Sequence, residues 1–436
     1  GLVGVDLEWL VRDAADPALP VPAERIAAAV ASLRPAGSVP APNEVLPSNS
    51  APGFLPSGAL LTAEPGGQLE LSSLPADSLA DLVSVTRADL AVLRAAVAAE
   101  GLTLAGIGLD PLRPPRRLLR MPRYAAMEEF FDRGGPWGRR MMCGTASVQV
   151  CLDAGDDGGA WTDYRYRWRL LHAIGPVLVA AFANSPLREG RVTGWRSSRQ
   201  QVWAHMDADR TRPPHLADNG DLRAGWAAYA MDAAVMCVRS DGPDWSAPDR
   251  MTLRDWTRGA REHNLRAADD ADLDYHLSTL FPPIRPRGHF EIRMIDAQPG
   301  DGWIVPLAVT SALLADERAG ADALVAAGRI WPGPPGDWPD DPGAPDDPGA
   351  PGISEAGGGP EAEDGGAGNP WLTAARLGPA DAGIARASRE CFAAARAALD
   401  RMNAPESITR AVDAFTETYV DRGRCPADDL LQEEAR

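Results

Sequence analysis

The sequence predicts an α+β fold, an antiparallel β-sheet with helices packed on its outside, and three observations carry that reading. Four separate stretches alternate apolar and polar residues with the period of a half-buried strand. The segments between them repeat apolar residues every three to four positions, the period of an amphipathic helix. The polar sides of the four stretches carry Asp6, Glu8, Glu64, Glu70, Gln149 and Glu291, with Arg293 beside the last.

In chain order, residues 2–11 set Val5, Leu7 and Trp9 opposite Asp6 and Glu8. Residues 23–33 read as a short amphipathic helix, followed by a Pro/Ser/Asn-rich loop to about residue 57. Residues 60–72 return to strand. Within them Pro65-Gly66-Gly67 is a turn that aims Glu64 at the polar face, with Leu69 and Leu71 on the other side. A helix over 76–100 ends at Gly101, and a strand is expected over 102–109. The connection 111–122 is arginine-rich, a helix starts near Pro122 and runs to 133, and 134–140 reads as a glycine loop. Residues 145–153 form the third polar-faced strand, with Ser147, Gln149 and Cys151 opposite Val148, Val150 and Leu152. An apolar helix over 168–183 leads into the Asn184-Ser185-Pro186 turn. The fourth strand, 289–296, opposes Phe290, Ile292 and Met294 to Glu291 and Arg293, and helices follow over 304–314 and 316–325. From 331 to 370 the chain is Pro, Gly, Ala and acid, with nine acids and no basic residue, so it cannot bury enough apolar surface to fold alone. Helices over 371–402 and 407–420 come after it. The expected organisation is a catalytic core over 1–330, a flexible insertion over 331–370, and C-terminal helices over 371–436 that dock back on the core.

Composition narrows the function. The 436 residues carry a net charge of −18, which argues against nucleic acid as a partner. No apolar run reaches membrane-span length and no signal peptide is evident. Five scattered cysteines without CxxC spacing suit reduced thiols, hence a cytoplasmic protein. All 43 basic residues are arginine. A P-loop, a protein kinase and a pyridoxal phosphate enzyme each need a lysine, so all three are excluded. Phosphate, if handled, is handled by arginine and metal ions.

Side chains two apart on a strand lie about 6.6 Å apart, near enough for carboxylates on adjacent strands to share cations. So many converging acids would repel one another unless hard, oxygen-ligated Mg2+ or Mn2+ lay between them. Each strand taken alone is also the ordinary polar-out strand of a solvated sheet.

Five motifs then occur in order: Val3-Gly4-Val5-Asp6-Leu7-Glu8-Trp9, Glu64-Pro65-Gly66-Gly67-Gln68-Leu69-Glu70, Met121-Pro122-Arg123-Tyr124 with Met127, Met141 to Val150, and Phe290-Glu291-Ile292-Arg293-Met294-Ile295-Asp296. Together they resemble the plant-type and bacterial glutamate–cysteine ligases, whose core is related to glutamine synthetase. The run Arg422-Gly423-Arg424-Cys425-Pro426-Ala427-Asp428-Asp429 is similar to the actinobacterial, ergothioneine-pathway branch. The resemblance implies a glutamine-synthetase-like curved antiparallel sheet lining a funnel, and a thiol-biosynthetic ligase acting on ATP, L-glutamate and L-cysteine through a γ-glutamyl phosphate. It implies two or three Mg2+ ions (or Mn2+) held by Asp6, Glu8, Glu64, Glu70, Gln149 and Glu291, with Asp6 standing where Glu is commoner. Arg293 and Glu291 would be catalytic, Arg285, Arg287 and Arg293 would meet the nucleotide, and Arg123, Tyr124, Asn184 and Arg199 would bind substrate. A monomer is expected. A ligase for another amine, a two-metal hydrolase and a silent binding protein are the competing readings.

Overall fold

The structure, a computed structural model, describes residues 1–31, 33, 55–214, 221–263, 265–331 and 369–435. Residues 332–368 of the expected insertion and most of the early Pro/Ser-rich loop lie outside the described residues, and Pro370 already begins a helix. The described strands are β1 (Val3–Asp13), β2 (Leu60–Ala63), β3 (Leu69–Ser72), β4 (Leu102–Ala105), β5 (Ser147–Asp153), β6 (Leu187–Arg188), β7 (Arg191–Val192), β8 (Ile284–Pro286) and β9 (His289–Asp296). Seven form one sheet in the order β2-β3-β1-β5-β9-β8, with β4 on the far end of β1, while β6 and β7 make a separate ribbon. Every pairing in the large sheet is antiparallel.

The four polar-faced strands are therefore neighbours, β3-β1-β5-β9. Glu8 stands opposite Glu70, Asp6 opposite Gln149, and Cys151 opposite Glu291. Directly opposed residues share a face, so the register puts the acids of three strands on one side of the sheet. The other side buries Val5, Leu7, Leu69, Leu71, Val148, Val150, Phe290 and Ile292 in the main core. Helices Tyr164–Ala181, Ile304–Ala315 and Leu79–Ala99 pack in that core. The C-terminal helix Ala382–Arg401 joins the same core, packing on Ile304–Ala315 and Glu317–Gly328.

One irregularity shapes the site. Val148 pairs with Ile295 and Val150 with Ile292, so Gln149 alone faces two residues, Arg293 and Met294. This β-bulge reverses the side-chain phase beyond it. Strict alternation puts Asp296 with Phe290 and Ile292. Instead it pairs with Ser147, on the polar side.

Several elements differ from the sequence reading. The glycine loop expected over 134–140 gives way at Trp137 to a helix that runs to Gly144. The strand at 102 stops at Ala105, because the backbone at Gly106 presses on Gln298, where a Cβ would lie 2.0 Å from the carbonyl oxygen. The long C-terminal helix is broken at Gly378, whose φ of 58° only glycine adopts readily. Residues 284–286, for which no element was expected, are the edge strand β8.

Leu7→Ala, on the buried side between Asp6 and Glu8, is expected to cost about 2–5 kcal/mol in a denaturant titration. Leu74→Ala at a 55 % exposed position should stay within about 0.5 kcal/mol of the parent.

Candidate active site

A cavity of about 1050 Å³ opens on the polar side of the sheet. Its floor is Asp6, Glu8, Glu70, Gln149, Cys151, Glu291 and Arg293, with Glu64 at the turn before β3. Its walls come from the start of helix Pro122–Asp132, from Met141 and Met142, from Arg199 and Trp203, and from Trp245, Tyr275, Ser278 and Phe281.

The turn carrying Glu64 is tightly built. Gly67 donates to the Glu64 carbonyl at 2.8 Å with φ of 85°, and Glu64 donates to the Gln68 carbonyl at 2.8 Å. A Cβ on Gly66 would lie 2.3 Å from the Cys143 carbonyl oxygen, so only glycine allows this approach. The Gln68 amide donates to the Met142 and Thr145 carbonyls at 3.2 and 3.0 Å, which ties the turn to the start of β5. Gln68 is thus spent on structure, while Glu64 faces the cavity.

Asp6, Glu64 and Glu70 lie deep in the protein but keep part of their surface toward the cavity. Burial, then the charge of Glu291, pushes Asp6 up to about 7. Burial and Glu8 push Glu64 up to about 7. Burial, Glu64 and Asp6 raise Glu70 well above the usual carboxylate range. Glu70 accepts from Thr62 at 3.1 Å, and the Cys151 thiol meets Asp6 at 3.7 Å. These contacts do not neutralise three carboxylates.

The opposite side of the cavity is cationic. Arg285 grips Glu291 with two bonds, at 2.9 and 2.7 Å, and Arg293 contacts the same carboxylate. Burial alone would raise Glu291, but Arg293 and Arg285 outweigh it and hold it at about 2. Arg285 moves down to about 10, because burial and the Arg293 charge together exceed what one shared carboxylate returns. Two guanidiniums on one carboxylate, with exposed Arg287 nearby, leave excess positive charge at this end.

Gln149 joins the two halves. It donates to Glu8 at 2.7 Å and accepts from Arg293 at 2.7 Å. Arginine only donates and a carboxylate only accepts, so this amide orientation is forced. Glu8 also accepts from Ser147 at 2.9 Å. Glu291 and Gln149, expected as metal ligands, are thus both committed to arginine in this structure.

Arg199 is 2 % exposed and lines the cavity, stacked 4.4 Å over Trp203. It donates to the Arg293 carbonyl at 2.8 Å, while its Nε and Nη1 have no hydrogen-bond partner. Arg123 lines the opposite wall, bonded to Ser278 and lying 5.0 Å over the Tyr275 ring. Tyr124 reaches the cavity as well. Asn184 does not line it, a correction to its expected substrate role. Its amide donates to the Gly106 and Ala297 carbonyls at 2.8 Å each, which joins two loops inside the core. Asp207 and Arg210 are likewise scaffold, since the fully buried Arg210 bonds Asp207 and the Thr279 and Ala234 carbonyls. Sequence reasoning missed Trp245, Tyr275 and Ser278, which come from segments with no motif.

A divalent cation suits the acidic half in kind: the donors are all oxygen and their charge is uncompensated. Among the described residues, no three Asp, Glu, His or Cys side chains yet stand close enough to hold one ion.

The fold and the family are those of a ligase. A profile of glutamate–cysteine ligase family 2 matches residues 2–332, and the chain belongs to that family. It is 39 % identical over 381 residues to the glutamate–cysteine ligase EgtA of Mycobacterium tuberculosis, covering 86 % of this chain and 77 % of that protein. It is 40 % identical over 330 residues to EgtA of Mycolicibacterium smegmatis, covering 75 % and 72 %. A crystal structure of the Francisella tularensis glutamate–cysteine ligase in complex with AMP shares the fold, with TM-score 0.51 and 10 % identity over 99 % of this chain and 84 % of that one. No described helix is long and apolar enough to cross a membrane.

The acid cluster sets a pH dependence. A carboxylate with a raised folded-state pKa binds more protons folded than unfolded, so its contribution falls as pH rises between the two values. For Glu64 that window runs from 4.5 to about 7. With divalent ions chelated, Glu64→Gln is expected to gain stability over the parent across that window, measured by denaturant titration. Mg2+ at pH 7.5 should cancel the gain.

Proposed function

We propose that the chain joins the γ-carboxylate of L-glutamate to the amine of L-cysteine at the expense of ATP. The single observation that carries this is a cavity with carboxylates on one side and an arginine excess on the other, bridged by Gln149. A triphosphate with its cations, next to an anionic phosphoryl acceptor, needs both kinds of charge in one place.

In the first step a glutamate γ-carboxylate oxygen attacks the γ-phosphorus and the bond to the ADP oxygen breaks, which leaves γ-glutamyl phosphate. In the second, the cysteine nitrogen attacks the acyl carbon, inorganic phosphate departs with its oxygen, and the nitrogen loses a proton. Phosphoryl transfer asks the protein for alignment and charge stabilisation more than for covalent chemistry. Arg293, oriented by Glu291 and Gln149, meets the transferring phosphoryl with a planar and permanently charged donor set. Arg285 and Arg287 extend that positive surface along the nucleotide. Arg199, stacked on Trp203 at the cavity wall, offers its positive charge to a substrate carboxylate. Arg123 and Tyr124 serve the second amino acid.

Asp6, Glu8, Glu64 and Glu70 would hold Mg2+ or Mn2+, with Glu291 and Gln149 at the boundary. A bound divalent cation supplies neutralisation of the triphosphate charge. The product would feed thiol synthesis in the cytoplasm, ergothioneine being the route that the C-terminal motif suggests.

Release of ADP and phosphate should require glutamate, cysteine and a divalent cation together. Turnover of an amide or ester without nucleotide would overturn the reading. Arg293→Ala should lower kcat by about 100-fold or more, the scale for loss of one charge-stabilising donor. Arg199→Ala should act first on the KM for glutamate, raising it about tenfold or more, as loss of a charged hydrogen bond predicts.

A further inference from the structure

The backbone at Arg293 is held in an unusual way. The β8–β9 register pairs Ile284 with Ile292 and Arg285 with Glu291, so the next pair is Pro283 with Arg293. Arg293 donates to the Pro283 carbonyl at 2.8 Å. In a regular antiparallel pair the partner returns a bond, but proline has no N–H to give. The Arg293 carbonyl therefore lacks its backbone donor.

Helix Ser198–Met206 supplies the replacement from its first turn. Arg199 donates to the Arg293 carbonyl at 2.8 Å, and Gln200 donates to the Met294 carbonyl at 2.8 Å. These are the two residues of the bulge. The helix start is fixed to the same strand a third time through Asp296. That carboxylate accepts from Ser197 at 3.0 Å and from Ser185 at 2.7 Å. Ser197 and Ser185 in turn accept from the Gln200 and Arg199 amides, at 3.2 and 3.1 Å. Arg199 lines the cavity and Gln200 does not.

We propose that Gln200 is a positioning residue for Arg293: by holding the Met294 carbonyl it fixes the bulge that aims the Arg293 guanidinium at Glu291 and Gln149. The assignment rests on the ligase reading above. Gln200 touches no reacting atom and acts only through the strand. Without its amide the carbonyl has no donor from the helix, and the two-for-one pairing opposite Gln149 loses one of its fixed points. Misalignment of a transition-state donor costs rate more than ground-state affinity.

Two variants test it: Gln200→Leu, which removes the donor, and Gln200→Glu, which keeps the shape but turns an acceptor toward the carbonyl. Gln200→Leu is expected to lower kcat about tenfold, within the range seen for small misplacements, with the KM values for glutamate, cysteine and ATP within about twofold. Gln200→Glu should lose at least as much, and serves alone if the leucine variant fails to fold. Hydrogen exchange of amides 291–296 should speed up in both single variants, while helix 304–315 stays unchanged. Parental kcat in both single variants, a loss confined to KM, or unaltered exchange at 291–296 overturns the proposal. If the parent itself shows no glutamate- and cysteine-dependent ADP release, it is the ligase reading that fails, and the exchange measurement still reports whether Gln200 holds the strand.

Discussion

Charge that cannot be left alone is the constraint on which this structure depends. Asp6, Glu64 and Glu70 are packed deep in the protein, where burial and mutual repulsion oppose their ionisation. Beyond β5 on the same sheet, Arg285 and Arg293 compete for the one carboxylate of Glu291. Neither half is balanced by its own neighbours. The sheet is what makes the grouping possible: antiparallel register stacks the polar residue of one strand beside that of the next.

The absence of lysine fits such an interior. An ammonium in a buried, crowded place gives up its proton readily, whereas a guanidinium stays charged. Arg285, lowered to about 10 by burial and by Arg293, is still cationic at neutral pH. Arg199 and Arg210 are almost wholly buried, each bonded to backbone carbonyls and set beside a carboxylate, Asp296 and Asp207 respectively. The planar fork also lets one side chain do two jobs. Arg199 braces β9 with one nitrogen and sets another 3.9 Å from the Asp296 carboxylate, while its guanidinium stacks on Trp203 at the cavity wall.

The bulge opposite Gln149 shows how a local irregularity serves a distant purpose. One extra residue in β9 turns Asp296 to the polar side, where it becomes the anchor for Ser185, Ser197 and the start of helix Ser198–Met206. The same helix start closes the gap that Pro283 leaves in the ladder. The C-terminal motif reinforces this corner from outside: Asp428 pairs with Arg196 at 2.9 Å, and Ala427 donates to the Ala183 carbonyl. The segment that resembles the ergothioneine branch therefore supports the loop beneath the cavity and supplies no side chain to the cavity lining.

Period-two alternation was enough, in the sequence alone, to locate four strands and to assign Asp6, Glu8, Glu70, Gln149, Glu291 and Arg293 to their polar sides, because side-chain direction along a strand is a local property. The Pro-Gly-Gly turn announced Glu64 for the same reason. Local pattern could not say which strands pair, that Glu291 is claimed by two arginines, or that Arg285 belongs to an edge strand. It could not separate Asn184, spent on two backbone carbonyls in the core, from Arg199, which reaches the cavity 15 residues later in the chain. Trp245, Tyr275 and Ser278 gave no signal at all, since nothing in their neighbourhoods repeats. Those facts depend on contacts between segments far apart in sequence, and such contacts exist only once the whole core has brought the strands and helices together.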